Sequence, residues 1–211
     1  MSTATDKYPN LEALKSELRQ GTDYRIRVLD RKHPITIMSP HGGFIDIGTS
    51  AIAAAIAGRD FNLYDFQGLQ VVNGIDLHVT STRFRDDKLM KLIERSDLGV
   101  GVHNMGRMET DAIWLGGLNQ SLQALAYKHL LARGFTVETS MPRYRGEHPK
   151  NICNLPKRHG IQLELPTNLV EKMFATPVLF RTGNRHPKTT DLLKQLASAV
   201  RLALKEELDA D

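Results

Sequence analysis

Two histidines each end what reads as a buried strand, and a carboxylate stands close to the first of them. His41 lies in Ser39-Pro40-His41-Gly42-Gly43-Phe44-Ile45-Asp46, and His103 ends Leu98-Gly99-Val100-Gly101-Val102-His103. Imidazole nitrogens and carboxylate oxygens are good zinc donors, and a catalytic zinc site uses three protein ligands with a fourth position open. His41, Asp46 and His103 supply that number if the two strands run parallel and end at one edge of a sheet. Spacing alone favours a plainer account. Gly42-Gly43 then makes a turn, Asp46 caps the next helix, and His103 is a rim histidine bonded to backbone.

Glu164 is the most informative single residue. In Gly160-Ile161-Gln162-Leu163-Glu164-Leu165 the apolar side chains share one face, and Gln162 and Glu164 share the other. A carboxylate in so short and apolar a strand costs desolvation unless it is exposed, paired or lining a polar cleft. An exposed edge strand accounts for it without function. Beside a zinc site, such a carboxylate takes a proton from the attacking water and passes it to the leaving amine. His78, in Leu77-His78-Val79-Thr80, is an alternative third ligand, a substrate contact or a structural residue.

Other chemistries find no support. The chain has no H-E-x-x-H, C-x-x-C, Walker loop, dinucleotide glycine fingerprint or G-x-S-x-G elbow. Its one cysteine, Cys153, can form no intrachain disulfide and reads as a packed thiol.

These residues need a scaffold that brings strand ends together. Strand patterns at 24–29, 35–39, 61–66, 77–80, 98–103, 135–138 and 160–165 alternate with helical ones at 11–19, 50–57, 88–94 and 119–132. The strand at 35–39 is expected to stop at Pro40. A last helix, capped by Thr190, shows Leu193, Leu196, Val200 and Leu204 on one face. Such alternation predicts one α/β domain over residues 1–211, with a mixed, mostly parallel sheet flanked by helices. Residues 1–22 form an N-terminal extension with a helix, and 188–211 a C-terminal helix packed on the domain. In such sheets chemistry gathers where loops leave the carboxyl ends of strands.

The 211 residues suffice for one buried core. No apolar stretch is long enough to span a bilayer, and the first residues lack a secretory pattern, so the expected product is cytoplasmic in the producing cell. No long heptad appears, which predicts a monomer. A net charge of +4 favours encounter with polyanions. Its densest basic stretch, 143–158, lacks the interleaved aromatics of a single-strand platform.

The motifs, in their order, resemble the poly-γ-glutamate hydrolase family of bacteriophages and related bacterial genes. The matching pieces are Pro40-His-Gly-Gly-Phe-Ile-Asp46 with Gly48-Thr49-Ser50, Leu77-His-Val-Thr-Ser81, and Val102-His103. Gly116-Gly117-Leu118, Arg145-Gly146 with Asn151-Ile152 and Asn154, and Gly160-Ile-Gln-Leu-Glu-Leu165 complete the set. The resemblance implies a pared-down zinc-carboxypeptidase-like fold and hydrolysis of γ-glutamyl amide bonds with one zinc ion. It puts His41, Asp46 and His103 at the metal and makes Glu164 the general base and acid. Arg145, then Arg107, would grip a substrate carboxylate, and His78, Asn151 and Asn154 would contact substrate or hold its loop. The implied substrate is a polyanionic γ-glutamyl polymer or peptide, and a phage-encoded protein would be released by lysis. The family usually has glutamate where this chain has Asp46, so the loop must bring the shorter side chain's backbone closer. This chain also has Arg83 and Arg85 where acidic residues are more usual in the family.

Two rivals differ in what they explain. A zinc amidohydrolase of peptidoglycan stems or other γ-glutamyl peptides would use the same centre, because the pocket chooses the substrate. A nucleic-acid-binding protein would account for the basic stretch and show steep salt dependence. It gives no reason for Glu164 beside Gln162, or for two histidines at strand ends.

Overall fold

The computed structural model describes residues 6–70, 74–139, 143, 145–176 and 188–210. Strand-forming segments give β1 (Tyr24–Leu29), β2 (Ile35–Gly43), β3 (Asn62–Gly68), β4 (Leu98–Asn104), β5 (Ile113–Gly117), β6 (Val137–Glu138) and β7 (Gly160–Leu165). The helices are α1 (Leu11–Glu17), α2 (Thr49–Ala57), α3 (Asp87–Ile93), α4 (Gln120–Leu131), α5 (Thr167–Lys172) and α6 (Asp191–Asp209). Asn10, Asp86 and Asn119 accept backbone N–H groups at the starts of α1, α3 and α4.

The strands join in one seven-stranded sheet of order β1-β3-β2-β4-β7-β5-β6. Strands β3, β2, β4 and β7 run parallel, β1 and β5 are antiparallel to their neighbours β3 and β7, and β6 is parallel to β5. This is the mixed, mostly parallel α/β sheet that the element pattern predicts. From β2 the chain passes through α2 to β3 on one side, then through α3 to β4 on the other. The order therefore reverses between β2 and β4, and the crevice at such a switch point is where open α/β sheets bind ligands.

A parallel sheet must be covered on both faces. Ile35, Ile37, Val100, Val102, Ile161 and Leu163 belong to the apolar cluster shared with α2, α4 and α6. Met38, Tyr64, Phe66 and Phe84 belong to a second cluster, with Leu11 and Leu14 of α1 and Leu89 of α3. The strand pleat turns alternate residues to opposite faces. Val102 and Leu163 thus go to the first cluster, and His103 and Glu164 to the other side.

Several elements differ from expectation. β2 does not stop at Pro40 but continues to Gly43, with a register shift between Ser39 and Gly42. Pro40 sits in that irregularity, where its missing N–H leaves no ladder bond unmade. The strand expected at 77–80 is a 3-10 turn, Gly74–Leu77, followed by irregular chain whose Thr80 N–H is taken by Asp6. Strand β5 and helix α5 were not expected. Thr190 holds the N-cap position of α6, but its hydroxyl donates to the Lys172 carbonyl, not to the helix.

Helix α6 is fixed at its far end by a buried carboxylate. Glu207 accepts hydrogen bonds from Asn119 Nδ2 at 3.1 Å, Ser121 Oγ at 2.6 Å and Arg158 at 3.0 Å. Glu207→Ala leaves these donors without their acceptor and is expected to cost about 2–3 kcal/mol in urea unfolding. A change below about 0.5 kcal/mol, the range of ordinary surface substitutions, would contradict that role. Among the described residues no helix is long and apolar enough to cross a membrane.

Candidate active site

The bulge at Pro40 aims His41 into the switch-point crevice. Its Nε2–H donates to the Val79 carbonyl at 2.9 Å. That bond leaves Nδ1 of the neutral ring as an acceptor facing inward. Nδ1 lies 3.1 Å from His103 Nδ1 and 3.2 Å from Asp46 Oδ2, and His103 Nδ1 is 3.7 Å from the same oxygen.

Asp46 arrives by a tight turn. Its backbone N–H bonds the His41 carbonyl at 2.6 Å, and its own carbonyl accepts the Thr49 hydroxyl at 2.7 Å. The turn draws the Asp46 backbone toward His41, as a carboxylate one methylene shorter than glutamate requires. Gly43, at φ +67, faces the Gly68 carbonyl so closely that no side chain could be added there.

These three atoms fit a metal. Corners of a tetrahedron at zinc–nitrogen distance stand about 3.3 Å apart, close to the three separations found. Without a cation, the inward lone pairs of His41 Nδ1 and Asp46 Oδ2 would face each other at 3.2 Å. His103 and Asp46 are donors of the types zinc prefers, and the Val79 carbonyl orients His41 as outer partners of ligating histidines do. Burial opposes the charge on Asp46, but the adjoining imidazoles of His103 and His41 outweigh it and hold the carboxyl well below its usual range.

Glu164 stands beside this group. In the parallel β4–β7 pair its register partner is His103. β7 lies inside the sheet, so an exposed edge does not account for this carboxylate, which is only 5% exposed. Burial, then the charge of Asp46, push its pKa well above the ordinary value, against a hydrogen bond from Gln162. Gln162 Nε2 donates to Glu164 Oε1 at 2.7 Å, and Asn151 Nδ2 donates to Gln162 Oε1 at 2.8 Å. Asn154 holds the same loop by donating to the carbonyls of Gly146 and His148 and accepting the Leu118 N–H. Asn151→Ala removes the far end of this relay and is expected to lower kcat about 10- to 100-fold with the fold intact. Unchanged kcat in a folded variant would separate the relay from catalysis.

Asp46, His78, His103 and Glu164 line one cleft of about 390 Å³, walled by Ile45, Ile47, Ile75 and Met105. The ring of His78 lies over that of His41, 4.0 Å between centroids. Burial and then the neighbouring His41 lower the His78 pKa, although Asp6 opposes them. Asp6 also escaped sequence reasoning. It bonds His78 Nδ1 at 2.7 Å while accepting from the Thr80 N–H and hydroxyl and from Arg83. The sequence carries no local signal for a contact between residues so far apart in the chain.

The remaining expected residues are not among those lining the cleft. Arg107 follows the lining residue Gly106 and pairs with Glu171 at 2.7 Å. The Arg145 side chain is exposed, 3.8 Å from Glu147, and its carbonyl accepts the Gly117 N–H. Asn151 and Asn154 are buried in the loop that supports β7.

The chain has clear relatives. It is 30% identical over 201 residues to the SPbeta prophage-derived protein YoqZ of Bacillus subtilis (strain 168), covering 93% of this chain and 72% of YoqZ. YmaC of the same strain is 28% identical over 210 residues, 98% of this chain and 87% of YmaC. The structure of a bacteriophage poly-gamma-glutamate hydrolase superposes with a TM-score of 0.91 at 28% identity, covering 98% of this chain and 100% of that one. A zinc-free apo structure of YndL gives 0.87 at 26% identity, over 96% and 99% of the two chains. The sequence profile of the poly-gamma-glutamate hydrolase family matches residues 8–199, so the chain belongs to that family and is a hydrolase of amide bonds.

Proposed function

We propose that this protein cleaves the γ-glutamyl amide bonds of poly-γ-glutamate, using a single zinc ion held by His41, Asp46 and His103. The carrying observation is the convergence of three donor atoms, 3.1 to 3.7 Å apart, at a cleft that Asp46, His103 and a buried glutamate line. Zinc bound there supplies Lewis acidity at neutral pH. Glu164 takes a proton from the attacking water as the carbon–oxygen bond forms. It then returns that proton to the departing amide nitrogen as the carbon–nitrogen bond breaks, releasing a carboxylic acid and an amine. Burial moves its pKa upward from the ordinary carboxylate range, toward the ambient pH at which a proton shuttle works best. Gln162 fixes one carboxylate oxygen of a residue that stands in register with His103.

The substrate carries a free carboxylate on every residue, and the rim offers cations to meet it. Arg107 and Arg145 take that role in this reading, exchanging their ion pairs with Glu171 and Glu147 for substrate carboxylates. Exposed pairs of this kind are worth about 0–1 kcal/mol, so the exchange is easy. His78, partly open to the cleft, contacts substrate next to the metal group, and Asn151 and Asn154 act through the loop.

The test is incubation of the zinc-replete protein with poly-γ-glutamate, α-linked polyglutamate and purified peptidoglycan. Chain shortening with new primary amines from the γ-linked polymer is expected. Intact γ-linked polymer alongside cleaved peptidoglycan would transfer the same centre to the other substrate class.

A further inference from the structure

The residue opposite Glu164 on its other side has a group with nothing to bind. In the antiparallel β5–β7 pair, Trp114 is the register partner of Glu164. Directly opposed residues share a face, with Cβ atoms about 4.5–5.5 Å apart. His103, Glu164 and Trp114 therefore form one row across β4, β7 and β5, at the carboxyl ends of β4 and β7. The indole Nε1 of Trp114 is buried and has no hydrogen-bond partner. Indole nitrogen can only donate, and a buried donor without an acceptor carries its full desolvation penalty. Trp114 as a whole is only partly buried, so part of its ring is open while Nε1 itself is enclosed, and a ligand reaches the nitrogen only if the ring turns.

The missing partner must be an acceptor, and the row already holds the group that would act on the scissile bond. Polymer continuing from the cleft past Glu164 toward β5 would bring carboxylates, the strongest acceptors available, to Trp114. We propose that Trp114 is a substrate-binding residue whose indole N–H donates to a carboxylate of the glutamyl unit seated on the β5 side of Glu164. The inference rests on the reading of the substrate given above. It adds a subsite that would set the register of the polymer over Glu164.

Trp114 is the chain's one tryptophan, so its emission reports this position alone. Titrating penta-γ-glutamate into the Glu164→Gln variant, which holds the oligomer without cutting it, should shift the emission saturably. Trp114→Phe keeps an aromatic ring and removes the donor. With poly-γ-glutamate it should raise KM by about 10-fold or more while changing kcat less than about threefold, the signature of lost substrate binding. Wild-type KM in a folded Trp114→Phe protein, or emission that ignores saturating oligomer, would overturn the subsite. Should Trp114→Phe not fold, the titration decides. Wild-type protein that binds the oligomer with an emission shift yet never cleaves the polymer would leave the contact standing and sink the hydrolase reading instead.

Discussion

Glu164→Gln is expected to lower kcat on poly-γ-glutamate by about 10²- to 10⁴-fold, the usual contribution of a positioned general acid–base group, and at the same time to stabilise the metal-free fold. Both effects come from one feature, a carboxylate held in the sheet interior beside Asp46. Glutamine keeps the shape and can still accept the amide of Gln162, but it cannot carry a proton between water and leaving group. The folded-state pKa of Glu164 is raised by burial first and by Asp46 second. A raised pKa means that the folded state holds the proton more tightly than the unfolded chain. The stabilising contribution is complete below the unfolded value and fades as pH rises through the folded one. Above that folded-state value the wild type therefore bears a buried charge that glutamine lacks. The variant should gain about 0.5–2 kcal/mol there, a common scale for relieving a functional site. The difference should shrink toward acid pH. Urea melts of chelated protein across pH measure it, because a bound cation would itself favour the ionised carboxylate. A variant that gains no stability over wild type as pH rises, or one that keeps its turnover, would remove Glu164 from this role.

The parts of the site that were legible in the sequence are those written locally. Alternation in Gly160–Leu165 sets Gln162 and Glu164 on one face, and the same two residues bond each other in the structure. Strand-terminal histidines could be matched because parallel strands bring their carboxyl ends to one edge. What could not be read depends on partners distant in sequence. Asp6 reaches His78 only because the N-terminal segment folds back over the 78–83 loop. β5 was missed because Gly116-Gly117 reads as a break in a strand. The glycine at 116 is required there, since any Cβ would collide with the Arg145 carbonyl. With β5 went Trp114, whose significance lies in its register with Glu164 and in no motif. Pro40 misled in the same way, marking a strand end where the sheet tolerates a bulge.

His103→Ala and Asp46→Ala are each expected to abolish measurable hydrolysis and to lose stoichiometric zinc. The two atoms removed are corners of one donor triangle. His41 cannot compensate, since its other nitrogen is committed to the Val79 carbonyl. In wild type, chelation should remove activity and added zinc restore it. Zinc should also raise the unfolding free energy by about 4 kcal/mol at a thousand times its dissociation constant, because it binds the folded state. Neither variant should show that gain in stability. The two substitutions differ in one informative respect. Asp46→Ala removes the negative charge that raises the Glu164 pKa, so in metal-free protein it should lessen the stability gained by Glu164→Gln. His103→Ala leaves that charge in place and should preserve the gain. A double-mutant cycle on chelated protein separates the two. Equal coupling in both cycles would mean that Asp46 and Glu164 do not sense each other across the cleft. Full activity after chelation would remove the metal from the mechanism altogether.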